Sequence, residues 1–132
     1  MRFPVALLIA SVLAACSSLP TPIPSVVTVE LDAFSGRPNP TWSLTPAEVR
    51  DVAKRLRDLP ATDRHRPDTI LGYRGFRIAN PGDAAGVPKS VYVSRGGLIR
   101  IGERATYLDA HDLERALIEQ AKRRGHGAVF AP

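Results

Sequence analysis

The sequence predicts a small α+β domain in which two amphipathic helices cover one face of a largely antiparallel sheet. Three observations predict it. Period-2 alternation of apolar and polar residues begins near Val26 and returns in short β-rich runs between residues 71 and 101. Two stretches, opening at Thr45 and Asp109, place capping residues ahead of an apolar stripe at helical spacing. The resulting order, β-α-β-β-β-α, packs most economically with both helices on one side of the sheet.

The chain opens with a segment that takes no part in this fold. Met1-Arg2 is a basic start, residues 3–13 are apolar apart from Pro4 and Ser11, and small residues follow. That order is a secretory signal, expected over residues 1–15, and it is too short to cross a bilayer core, which needs about 20 apolar residues. Its end, Leu13-Ala14-Ala15-Cys16, resembles the lipobox of bacterial lipoproteins. The resemblance implies diacylglyceryl transfer to the Cys16 thiol, cleavage after Ala15, and acylation of the new amine by a fatty acid such as palmitate. Ser17 behind the cysteine resembles the sorting signal of outer-membrane lipoproteins facing the periplasm, where aspartate would retain the protein at the inner membrane. Cys16 is the only cysteine, so the domain must stand without disulfides in an oxidising compartment. Residues 16–25 then form a lipidated cysteine and a spacer in which Pro20, Pro22 and Pro24 favour an extended, semi-rigid chain.

Residues 26–132 suffice for one domain and not two. The 44% hydrophobic content argues against wholesale disorder despite 12 prolines and 10 glycines. The chain has 18 basic and 13 acidic side chains; loss of Arg2 with the leader leaves 17 against 13, a surplus of four. This favours anionic surfaces such as phospholipid, lipopolysaccharide or teichoic acid phosphates. Nucleic acid is a poor partner on this side of the membrane.

In the first strand Val27, Val29, Leu31 and Ala33 face one way and Glu30 and Asp32 the other. Gly36, Pro38 and Pro40 end it in a loop. Thr45 caps the first helix, Pro46 suits its first position, Glu48 completes a capping box, and Leu44 with Val49 forms a staple. Val49, Val52, Ala53 and Leu56 make its buried stripe. A polar loop over residues 60–69 leads to a strand over 71–78, whose apolar phase shifts and calls for a bulge near Gly75. Residues 90–94 and 98–101 form a hairpin around Arg95-Gly96-Gly97. The last helix is capped by Asp109, buries Leu113, Ala116, Leu117 and Ala121, and stops at Gly125.

Two surfaces are candidate sites. The stretch Phe34-Ser35-Gly36-Arg37-Pro38-Asn39-Pro40-Thr41-Trp42 uses prolines to stiffen a loop that presents Arg37, Asn39 and Trp42. An arginine fork suits carboxylate or phosphate, and tryptophan suits a sugar or a cation. Tyr73 and Arg74 join this tentative binding set. The competing reading makes Trp42 a lid on the core and pairs Arg37 with Glu30 or Asp32. With Leu71-Gly72-Tyr73-Arg74-Gly75-Phe76, the stretch resembles a group of small domains carrying F-S-G-R-x-N-P-x-W, which implies a shared fold and carries over no catalytic residue. The second surface is the outward face of the sheet, with Glu30 and Asp32 near Arg74 or Arg77 and Arg100. Solvated cross-strand pairs are the ordinary reading of such a face.

His65, His111 and His126 do not share metal-ligand spacing, Ser35 and Ser94 lack a G-x-S-x-G context, and no glycine-rich phosphate loop occurs. No catalytic residue, metal or cofactor is therefore assigned. The expectation is an envelope-anchored, non-enzymatic binding or assembly module. Its partners would be the membrane, through the lipid, and an anionic envelope component or envelope protein. A small cell-envelope hydrolase and a purely structural envelope protein are the alternatives.

Overall fold

The computed structural model describes residues 18–19, 26–67, 70–83 and 85–132. Cys16, the leader and all of the proline spacer but Ser18 and Leu19 lie outside them. Six strands, β1 (Thr28–Asp32), β2 (Thr41–Ser43), β3 (Gly75–Ala79), β4 (Ser90–Ser94), β5 (Leu98–Ile101) and β6 (Ala105–Leu108), form one sheet in the order β2-β1-β3-β4-β5-β6. Every neighbouring pair is antiparallel. Helices α1 (Pro46–Arg55) and α2 (Leu113–Arg123) complete the α+β domain, and a 3₁₀ turn over Gly127–Phe130 follows.

Strand alternation sorts the sheet into two faces. Val29, Leu31, Phe76, Ile78, Val91, Val93 and Ile99 join Val52 and Ala53 of α1 and Leu113, Leu117 and Ala121 of α2 in one buried cluster. The opposite face carries Glu30, Arg77, Tyr92 and Arg100 in register across four strands. A one-residue slip would exchange these faces, so the apolar set fixes the pairing.

The start of α1 is as expected. Thr45 accepts from the Glu48 N–H, and the Glu48 carboxylate accepts from the Thr45 N–H at 2.9 Å. α2 begins later than expected, at Leu113. Asp109 still caps it, because its two carboxylate oxygens accept from the N–H groups of Leu113 and Glu114 at 2.8 Å each. Asp112, between them, sits at φ 56° in the left-handed region and its side chain pairs with Arg115. The carboxylate thus reaches across a turn to two donors at the positive end of the helix dipole.

Two strands were not expected, and both lie at sheet edges. β2 is only three residues long and follows two prolines, yet Leu31 donates to the Pro40 carbonyl and Leu44 to that of Val27, which extends its ladder. β6 is bordered by the chain leaving α1: Thr62 donates to the Thr106 carbonyl, Leu108 donates to that of Pro60, and Ala61 bridges Tyr107. The strand expected over 71–78 is confined to Gly75–Ala79, and Leu71 stands outside it, almost fully exposed. Gly75 pairs with Asp32, whose carbonyl also accepts from the Arg74 N–H at 2.8 Å. Two residues against one is the expected bulge. Glycine is required there: at φ 149°, a Cβ would stand 2.2 Å from the Val93 carbonyl oxygen.

Candidate functional site

The F-S-G-R-x-N-P-x-W stretch is a loop that folds on itself. Asn39 Oδ1 accepts from the N–H groups of Ala33 (3.1 Å) and Phe34 (2.9 Å), while its Nδ2 donates to Glu30 Oε1 (3.2 Å). One side chain thereby returns the chain from β1 to β2. Gly36 takes a positive φ at the tip, and the Arg37 guanidinium lies 3.6 Å over the Phe34 ring. Arg37 is exposed and has no carboxylate within ion-pairing distance among the described residues.

Trp42 is on the other side of the sheet, under the helices. It pairs with Val29 in register, meets Phe76 edge-on, and donates from Nε1 to the buried Gln120 Oε1 at 3.1 Å. His126 stacks on its remaining face at 6.2 Å and the Arg124 guanidinium approaches to 5.5 Å. Tyr73 is likewise turned inward. Its ring packs on Phe76 and Phe130, its hydroxyl donates to Glu114 Oε1, and burial reinforced by that carboxylate pushes its pKa far up. The five residues of the tentative binding set therefore do not converge. Arg37 is at a tip, Asn39 is inside the loop, Trp42 and Tyr73 are in or against the core, and Arg74 belongs to the network below.

The open face of the sheet does bring charged groups together. Asp32 is nearly inaccessible, and its Oδ1 accepts two donors from Arg74, which also donates to the Phe34 carbonyl and reaches Ser35. Asp32 Oδ2 accepts from the Tyr92 hydroxyl at 2.8 Å, and Arg77 lies 3.7 Å from the same oxygen. Burial alone would raise the Asp32 pKa. Donation from Arg74 and Tyr92, with the charges of Arg74 and Arg77, outweighs it and holds the carboxyl below its ordinary range. Burial first, and then donation to Asp32, raises the Tyr92 phenol, so it stays protonated and donates.

Around the Tyr92 ring stand three guanidinium groups, with Arg66 at 5.0 Å, Arg77 at 5.6 Å and Arg100 at 5.7 Å from its centre. Arg77 and Arg100 arrive from the flanking strands in direct register. Arg66 comes from the segment that runs along β6 and donates to the Tyr92 hydroxyl. Arg77 is matched to Glu30 at 3.0 Å and Arg74 to Asp32. Arg66 and Arg100 have no carboxylate partner among the described residues. The face therefore carries a local surplus of two positive charges around one aromatic ring.

The groove between α1 and α2, about 520 Å³, offers no such surplus. Its walls include Glu48, Asp51, Arg55, Asp112 and Arg115, and these pair among themselves or with Arg124. No group of three metal-ligating side chains occurs among the described residues, and no helix among them is long and apolar enough to cross a membrane.

Alternation and charge point to Glu30 and Asp32 with Arg74 or Arg77 and Arg100 on this face, and the structure gathers both arginines with the rest. Tyr92 and Arg66 were missed. Strand register was the only signal for Tyr92, and Arg66 sat in a polar loop without any. Comparison with family models, curated proteins and solved structures gives no match for this chain.

Proposed function

We propose that the chain is a lipid-anchored lipoprotein of the cell envelope, held at Cys16 and facing the periplasm from the outer membrane. Its domain acts as a non-enzymatic binding module for an anionic envelope component. The observation that carries this reading is the arginine cluster on the open sheet face, where Arg66 and Arg100 approach the Tyr92 ring with no carboxylate partner among the described residues. The overall excess of basic side chains acts in the same direction. Asp32 and Glu30 support binding over acid–base chemistry, since arginines engage both and Asp32 is kept ionised. The two or three acyl chains expected at Cys16 would hold the chain firmly, and the charged face would act beside them on the same surface.

Two measurements test the address and the role. Intact mass of the chain recovered from membranes should equal the mature chain plus acyl groups, and Cys16→Ser should abolish that mass. A full-length chain with a bare Cys16 would sink the address. The processed chain bearing Cys16→Ser should bind anionic envelope polymers with a steep salt dependence. Equal retention at low and high salt would sink the charged face as the binding surface.

A further inference from the structure

We infer that the open face of the sheet docks onto phosphomonoester lipid headgroups of the membrane that holds the chain, with the phosphate seated between Arg66 and Arg100 at the Tyr92 ring. The inference rests on the anionic-binding reading above and narrows it to one chemical class and one source.

Charge complementarity carries it. Among the described residues four arginines and two carboxylates share the face, and Arg74 and Arg77 are committed to Asp32 and Glu30. Arg66 and Arg100 remain, which is a surplus of two charges and the complement of a dianion. A terminal phosphate supplies two charges and three acceptor oxygens to guanidinium forks, whereas a carboxylate or a phosphodiester supplies one charge. One fork is held by a hydrogen bond and the other is placed by strand register. Arg66 is fixed by donation to the Tyr92 hydroxyl, and Arg100 projects from β5 directly beside Tyr92. The ring between them is buried, so the phosphate would meet a surface that water has already left.

The tether argues for a lipid as the source. The chain joins the domain at Val26, one residue before the first buried position of the sheet. Nine residues separate Cys16 from Val26, a reach of at most about 35 Å over the ten steps at 3.3–3.6 Å per residue. That is about the width of a small domain, so the sheet face can lie on the bilayer to which Cys16 is attached. At such a distance the headgroups act at an effective concentration in the millimolar range, and a modest site is filled.

The test uses the processed chain bearing Cys16→Ser, so that binding reports the face and not the acyl groups. Co-sedimentation is measured with phosphatidylcholine vesicles containing phosphatidic acid, and with vesicles brought to the same surface potential by phosphatidylglycerol. Binding to the phosphatidic acid vesicles should be tighter. The paired substitution Arg66→Gln and Arg100→Gln should weaken it about twenty-five-fold, since each arginine near an anionic surface contributes about a factor of five. The paired control Arg50→Gln and Arg57→Gln removes the same charge from the helical side. It should weaken binding by less than about threefold, because the sheet lies between. Thermal midpoints of both pairs verify that the domain is folded.

Equal binding to the two vesicle types overturns the phosphomonoester inference and leaves the anionic-binding reading standing. Equal losses from the two variant pairs overturn the location. Binding of inorganic phosphate without any binding to vesicles overturns the membrane source. Failure to bind either vesicle type or any anionic envelope polymer overturns both the inference and the reading beneath it.

Discussion

Replacing Asn39 by alanine tests the account of the loop most directly. The substitution removes two acceptor contacts to main-chain N–H groups and one donor contact to the Glu30 carboxylate. A neutral hydrogen bond contributes about 1 kcal/mol net and one to a charged group somewhat more. Ala33 is buried, so its N–H would lose its partner without gaining water. Allowing for overlap among the three bonds, the loss should be about 2–3 kcal/mol. For a domain of about 100 residues this lowers the thermal midpoint by about 10–15 °C. Urea unfolding followed by fluorescence reads it cleanly, because Trp42 is the only tryptophan and is buried. Asn39→Asp sharpens the test. It keeps the acceptor for both N–H groups but sets a second carboxylate against Glu30, so its deficit at pH 7 should shrink as the pH falls toward about 4. A stability for Asn39→Ala within about 0.5 kcal/mol of the parent would refute the structural role given to this residue.

Trp42→Phe should cost about 1–3 kcal/mol by leaving the buried Gln120 carbonyl without its donor, and Trp42→Ala about 3–5 kcal/mol. Arg37→Ala, which loses only the contact over Phe34, should cost about 1 kcal/mol or less by the same urea titration. Gly75→Ala should abolish the cooperative transition or lower stability by more than about 3 kcal/mol; a soluble variant of parental stability would contradict the close approach to Val93. In the pH dependence of stability, Asp32 and Glu48 have folded pKa values below their ordinary ones. The folded state then binds fewer protons than the unfolded chain. Their contribution is complete above the ordinary carboxylate range and disappears as pH falls from about 4 through the folded values. Asp32→Asn should flatten that acid limb, and an unchanged slope in denaturant titrations would count against the buried pair.

The sequence exposed some of this and hid the rest for physical reasons. The start of α1 is legible to the residue because its signals are local: Thr45, Pro46 and Glu48 act within one turn. α1 ends at Arg55, where the Leu56 N–H caps it by bonding back to Val52 and Lys54. β2 and β6 are hidden because both are short: β2 follows two prolines and returns along β1, and β6 folds straight back on β5 while residues 60–62 border its outer edge. For the open face, alternation named Glu30, Asp32 and the arginines of the strands. It could not name Arg66, since a residue outside regular structure reaches Tyr92 only through the path its segment takes beside β6. The proline-flanked motif shows the opposite limit. Its residue types suit ligand capture, yet Asn39 and Trp42 spend their polar atoms within the fold.

The way this sheet ends bears on the membrane anchoring proposed above. Copies gathered on a bilayer meet one another far more often than molecules in solution, and a bare strand would invite them to stack rim to rim into growing ribbons. One rim here is a mere three residues, and the other is already bonded to Pro60, Ala61 and Thr62. On a membrane that holds the chain as proposed, neighbouring copies would therefore pack densely while each keeps its backbone to itself.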